Sequence, residues 1–179
     1  KELADARHYP AIDWVDSFSA DVGTAAEWWH ENIDRAWEKR RGQALAMLAR
    51  DAELSRIVNL VGPEALSSAQ RWVLEGAALV KDGVLQQSAL DPVDTFSSPE
   101  KQFLLLDLIL SVYDEGAALI EMGVPVQELS EMPVLAKLRR CKELYDSSQI
   151  DQLRAFRDEA LQDFKAIHSE YAQRGEQTA

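Results

Sequence analysis

The chain has 179 residues, 46% hydrophobic and 28% charged, with a formal net charge of −12. This is a globular composition with apolar mass for one core, and eight glycines and six prolines are too few for a collagen-like or linker-rich chain. A surface this acidic repels phosphate backbones and anionic headgroups, which makes nucleic acid and membrane surfaces poor partners. The longest apolar run, Phe103 to Tyr113 interrupted by Asp107, is too short to insert across a membrane.

Helical periodicity dominates, and strand-like alternation is almost absent. The first residues are the exception. His8-Tyr9-Pro10-Ala11-Ile12-Asp13 reads as an extended segment, because the residue before a proline avoids the helical region. Lys1 to Asp13 is mixed and polar, unlike a signal peptide. The chain opens on lysine rather than methionine, so a piece of something longer is expected.

Thr24 and Glu27 stand at capping-box spacing, which predicts a helix start. Ile33, Trp37, Ala44, Leu45, Leu48, Ala52, Ile57, Val58 and Val61 continue the pattern, with Gly42 as its candidate interruption. Gly62-Pro63 ends it. Ser67 and Gln70 repeat the capping-box spacing and start a helix carrying Trp72, Val73, Ala77 and Val80 to about Asp82. From Gln86 to Ser98 there is no helical period, and Pro92 marks a loop of fixed shape. Ser98-Pro99-Glu100 opens the next helix with a capping serine, a proline at the first position and an acid in the first turn. Gly123 closes that helix after Met122.

Val124 to Met132 is a short connector, and Pro133 opens a helix to about Lys142. Asp146 or Ser147 is the expected cap of a last amphipathic helix, with Ile150, Leu153, Phe156, Leu161, Phe164 and Ile167 on one face. The composition turns polar beyond Gln173, where fraying is expected. The expected fold is an all-α bundle of five or six helices.

Few residues point to chemistry. No cluster of glycines precedes a Lys-Ser/Thr pair, so backbone amides have no loop in which to wrap a triphosphate. Glu27-Trp28-Trp29-His30 has a Glu-x-x-His spacing, but a di-iron bundle needs two such motifs and two more glutamates. Three histidines at irregular spacing are equally poor zinc ligands, and no nucleophile-elbow signature is present. The single cysteine, Cys141, excludes an internal disulfide and fits a reducing compartment. It lies among Arg139, Arg140 and Lys142 and reads as an ordinary helix residue. The five tryptophans, Trp14, Trp28, Trp29, Trp37 and Trp72, read as core or domain-contact residues.

Three segments go further. His8 to Trp14 followed by Ser17-Phe18-Ser19, then Ala52 to Leu66, then Leu85 to Phe96 leading into Pro99-Glu100-Lys101-Gln102, stand in one order and spacing. Together they resemble the C-terminal end of the catalytic subunit of V/A-type rotary ATP synthases, over essentially the whole chain. The resemblance implies that residues 1–16 end a nucleotide-binding domain and that residues 17–179 form the C-terminal helical bundle. It implies an intact subunit that makes or hydrolyses ATP with Mg, coupled through a rotor to H⁺ or Na⁺ movement. The P-loop, the Walker B acid and the general base would lie ahead of Lys1, leaving this chain no tight hold on nucleotide and no activity alone.

Two site regions follow from the resemblance. Gly62, Pro63, Glu64, Ala65, Leu66, Ser67, Ser68, Ala69 and Gln70 are similar in position to the acidic rotor-facing loop of the F-type β subunit. Ser67, Ser68 and Ala69 replace its acidic run, so contact by shape is expected over contact by charge. Leu90, Val93 and Phe96 match the adenine side of the ATP pocket, with Leu90 and Ser88 standing where the family's pattern has phenylalanine and asparagine. The implied partners are non-catalytic B-type subunits in a hexameric ring and the central rotor stalk, at the cytoplasmic face of a membrane. The rival reading is a free-standing helical scaffold of shared ancestry, which a P-loop encoded ahead of residue 1 would exclude.

Overall fold

A computed structural model describes residues 13–15, 17, 20–88 and 90–177, with side chains as far as residue 173. All but Asp13 of the expected extended segment at residues 8–13, and most of the expected boundary region at 1–16, lie outside the described residues. The helices, in chain order, are α1 (Val22–Asn32), α2 (Trp37–Val61), α3 (Ser68–Val80), α4 (Pro99–Glu121), α5 (Val126–Ser130), α6 (Pro133–Leu144) and α7 (Ile150–Gln177). No strand occurs among the described residues, and the fold is all-α.

Local chemistry sets most of the boundaries. Ser67 accepts from the Gln70 amide at 3.3 Å while the Gln70 side chain accepts from the Ser67 amide at 2.9 Å, so both orphan donors at the start of α3 are satisfied. Ser98 caps α4 through the Lys101 amide at 3.2 Å, with Pro99 at the first helical position. Gly62 at φ 88° and Gly123 at φ 94° take the left-handed backbone that ends α2 and follows α4.

Five expectations need correction, the last of them at the end of α3. The first helix begins at Val22, two residues before Thr24, and Asp21 caps it without a side-chain bond. The break in the long pattern falls at 33–36 rather than at Gly42, which lies inside α2. The Asp34 carboxylate accepts from the Ala36 amide at 2.7 Å, a local bond that competes with the helical ladder. Within the connector, α5 forms a single short helix behind Pro125. Finally, α7 begins at Ile150, because Asp146 and Gln149 bond reciprocally one turn earlier, and its helical backbone runs to Gln177.

The core is built on α4, which packs against α2, α3 and α7. Trp72 of α3 is 1% exposed, stacks on Tyr113 and donates its indole N–H to the Tyr113 carbonyl at 2.9 Å. Gly116 makes this approach possible, since a Cβ there would overlap the Trp72 ring. Phe164 of α7 closes the other side. Asp107, the one charge in the apolar run of α4, is held by Arg40 of α2 at 2.8 Å and Arg157 of α7 at 3.0 Å. A half-buried carboxylate with two guanidinium partners joins three helices. Arg139 of α6 reaches Glu75 and Asp82, tying α6 to the end of α3.

Beyond α3 the backbone widens into a π-type turn at Lys81–Leu85, closed by Gln86 N–H donating to the Lys81 carbonyl at 2.8 Å. Gly83 sits there because a Cβ would come within 3.0 Å of the Leu138 carbonyl of α6 and 2.6 Å of Ile109. The helical path thus runs to Leu85 rather than to Asp82, and it delivers the chain to the following loop.

Candidate functional site

Two regions of the bundle hold apolar side chains away from the core. The first is the tip where α2 turns into α3. Pro63–Ala65 form one 3-10 turn after Gly62, and Leu66 folds back at 5% exposure to anchor it. The Leu66 carbonyl accepts from Arg71 Nε at 3.2 Å. Pro63, Glu64, Ala65, Ser67, Ser68 and Ala69 are exposed, while Gly62 and Gln70 are half-buried. The last turns of α2 add Ile57 at 40%, Leu60 at 84% and Val61 at 65% exposure. These three lie outside the turn singled out from sequence. The periodicity of Ile57 and Val61 reads as core-facing, yet both stand partly exposed beside Leu60. The apolar signal was present, but its direction was not.

The second region is the loop 86–98. Its shape is set by two aspartates. Asp91 accepts from the Val93 and Asp94 amides at 2.8 and 3.0 Å, and its carbonyl accepts from the Thr95 amide at 2.8 Å. Asp94, 2% exposed, accepts from the Ser88 amide at 2.6 Å and pairs with Lys142 Nζ of α6 at 3.5 Å. The Gln87 side-chain amide donates to the Asp94 carbonyl, and the Ser98 amide donates to Ser147 at 3.0 Å. On this base Leu90 is 96% exposed and Phe96 69% exposed, whereas Val93 is half-buried. Leu90 and Phe96 are both uncovered by this chain's described residues; Val93 lies partly beneath the loop surface.

Beneath the loop, Lys101 of α4 is fully buried, and its ammonium donates to the Lys142 carbonyl at 2.8 Å. That carbonyl belongs to the last turn of α6, where helical partners run out. Burial pushes the Lys101 pKa down from its ordinary value, while the carboxylates of Asp94, Asp146 and Asp91 oppose the shift. Cys141, also buried, has its thiol pushed up to about 12 by desolvation. Despite its cationic neighbours in sequence it is a poor nucleophile. A cavity of about 210 Å³, lined among others by Gln87, Asp94, Ser97, Gln102 and Lys142, adjoins this cluster. The buried Ser97 hydroxyl has no hydrogen-bond partner among the described residues.

Among the described residues no group of three His, Cys, Asp or Glu side chains is placed to hold a metal ion, so the Glu27–His30 spacing joins no such cluster. No helix among them is long and apolar enough to cross a membrane.

These features define an all-α bundle with two outward-facing apolar tips and no assembled catalytic constellation among its described residues. The chain belongs to the family of C-terminal domains of V and A type ATP synthases, whose model matches residues 26–129. It is 57% identical over 98% of its length to the V-type ATP synthase alpha chain of Nitrosococcus oceani, of which it covers 30%. It is 38% identical over 95% of its length to an A-type ATP synthase subunit of Thermococcus sp., covering 28%. Over 72% of its length it is 46% identical to the corresponding A-type ATP synthase subunit of Ignicoccus hospitalis, covering 22%. The chain therefore spans less than a third of the length of these relatives.

Proposed function

We propose that this chain is the C-terminal arm of the catalytic subunit of a V/A-type rotary ATP synthase, closing the adenine side of the nucleotide pocket and relaying its opening and closing to the rotor. The intact subunit binds ATP or ADP with Mg and alternates with non-catalytic B-type subunits in a hexameric ring. That ring belongs to the soluble sector, at the cytoplasmic face of the membrane. The observation that carries this reading is the pose of the loop 86–98: a buried polar base holding Leu90 and Phe96 out of this chain's own core. Burying an exposed aromatic of this kind against a base contributes about 1–3 kcal/mol.

The second tip suits the rotor. Leu60, Val61 and the Pro63–Ala65 turn form a blunt apolar end with Glu64 as its one acid, and such a surface bears on a partner by shape. Helix α2 leads from that tip to the core helix α4, so a displacement at either end moves a packed body rather than a flexible strand.

The test is Phe96→Ala in the assembled ATPase. Loss of the ring raises KM for ATP by roughly tenfold, in line with one base stack, and leaves kcat nearly unchanged because no reacting group is touched. An unaltered KM would remove Phe96 from the pocket. The chain by itself contains no phosphate-cradling loop, so a phosphate-release assay on it is expected to read no ATP hydrolysis.

A further inference from the structure

The loop 86–98 has no helix of its own to lean on, yet its pose is fixed from below by charge. Asp94 on the loop is 3% exposed at its side chain, and its partner Lys142 on α6 is 7% exposed. Asp94 also takes the Ser88 amide at 2.6 Å, so one carboxylate grips the entry of the loop and the far helix together. Lys142 is held in turn through its carbonyl by Lys101 Nζ at 2.8 Å, which reaches from the first turn of α4. Three elements meet at this point: the loop, α4 and α6. None of these three side chains lies on the exposed face that carries Leu90 and Phe96.

A buried ion pair is weak evidence for stability, because desolvation cancels much of the attraction, and its better-attested use is to select one arrangement over others. Apolar packing beneath the loop would tolerate several poses of a thirteen-residue connection without secondary structure of its own. An anionic acceptor facing a cation at a fixed helix position tolerates few. The adjoining 210 Å³ cavity sharpens the point, since the loop is not wedged in place by tight packing on that side.

We propose that Asp94 and Lys142 are positioning residues: their buried pair, braced by Lys101, locks the loop 86–98 onto α4 and α6 and so fixes where Leu90 and Phe96 stand. The locking holds whatever those two residues touch. Its effect on nucleotide affinity rests on the adenine reading above.

The decisive variant is the double substitution Asp94→Asn with Lys142→Met, which removes both charges at nearly constant volume. Buried Lys101 loses the Asp94 charge but keeps the Lys142 carbonyl as acceptor and the Asp146 and Asp91 carboxylates nearby. The variant's thermal unfolding stays close to that of the unaltered chain, which separates loss of position from loss of fold. Hydrogen exchange on this chain then reads the loop: amides of Ser88, Val93, Asp94 and Thr95 exchange roughly tenfold faster, while those of the α4 core are unchanged. Lys142→Arg alone, for which the cavity provides room, keeps the charge and keeps exchange slow. Unchanged loop exchange in the double variant overturns the proposal, and so does faster exchange that Lys142→Arg shares. In the assembled ATPase the double variant raises KM for ATP at constant kcat. If Phe96→Ala raises KM and the double variant does not, the proposed effect on affinity is overturned and the adenine reading stands. If neither raises KM, the adenine reading falls, and loop exchange alone decides the locking.

Discussion

At the scale of single residues, close approach and burial decide what each side chain does. Gly116 has an ordinary helical backbone and is demanded by its neighbour, because Trp72 lies where a Cβ would be. Gly116→Ala is expected to destabilise the chain by about 1–3 kcal/mol, since either the indole leaves its rotamer or α3 and α4 separate. Urea unfolding measures this directly, and a midpoint within error of the parent would show that the interface has slack. Cys141 makes the complementary case. With its thiol raised to about 12, it resists a thiol reagent at pH 8 in the folded chain and reacts fully in urea. The sign follows from the raised value: the folded state keeps a proton that the unfolded state releases above about 9. That contribution to stability is complete below pH 9 and disappears as pH climbs toward 12. A chain equally stable at pH 8 and pH 11 would contradict the burial.

At the scale of elements, the caps show how far local chemistry reaches. The Ser67–Gln70 pairing is formed in both directions, so Ser67→Ala removes one half of a reciprocal cap and costs about 1 kcal/mol. For a chain of this size that lowers Tm by roughly 2–4 °C, measured by circular dichroism. Thr24→Ala, by contrast, changes little, because Thr24 sits inside α1 rather than at its start. The same spacing is therefore a cap in one place and a coincidence in the other. What differs is the chain ahead of each: Leu66 turns inward just before Ser67, whereas α1 has already begun at Val22, behind Asp21. Asp34, not Gly42, breaks the long amphipathic run, since a side-chain acceptor two residues from a free amide competes better than a missing Cβ.

At the scale of the whole molecule, the apolar ends of the bundle are its exposed cost. Ile57, Leu60 and Val61 stand together at the end of α2, all three exposed and Leu60 the most. Separated from any partner, the chain is expected to self-associate through this end, opposed by its net charge of −12 and favoured when salt screens that charge. Sedimentation at low and high salt tests it, and Leu60→Ser with Val61→Ser should return the monomer. Association untouched by those substitutions would place the contact elsewhere, and the outward loop with Leu90 and Phe96 becomes the next surface to alter.

The sequence by itself determined the helical class, the two glycine stops, the caps at Ser67 and Ser98 and the fixed shape of the loop 86–98, because each depends on residues within one or two turns of each other. It also carried the family, through three segments in order. The tertiary structure alone decided which apolar residues are core and which are left at the tip, that Asp107 has partners in two other helices, and that Asp94 beneath the loop meets a lysine forty-eight residues away. Those outcomes depend on where separate helices end relative to one another. A periodicity of 3.6 states that a helix has an apolar face, and only packing states what lies against it.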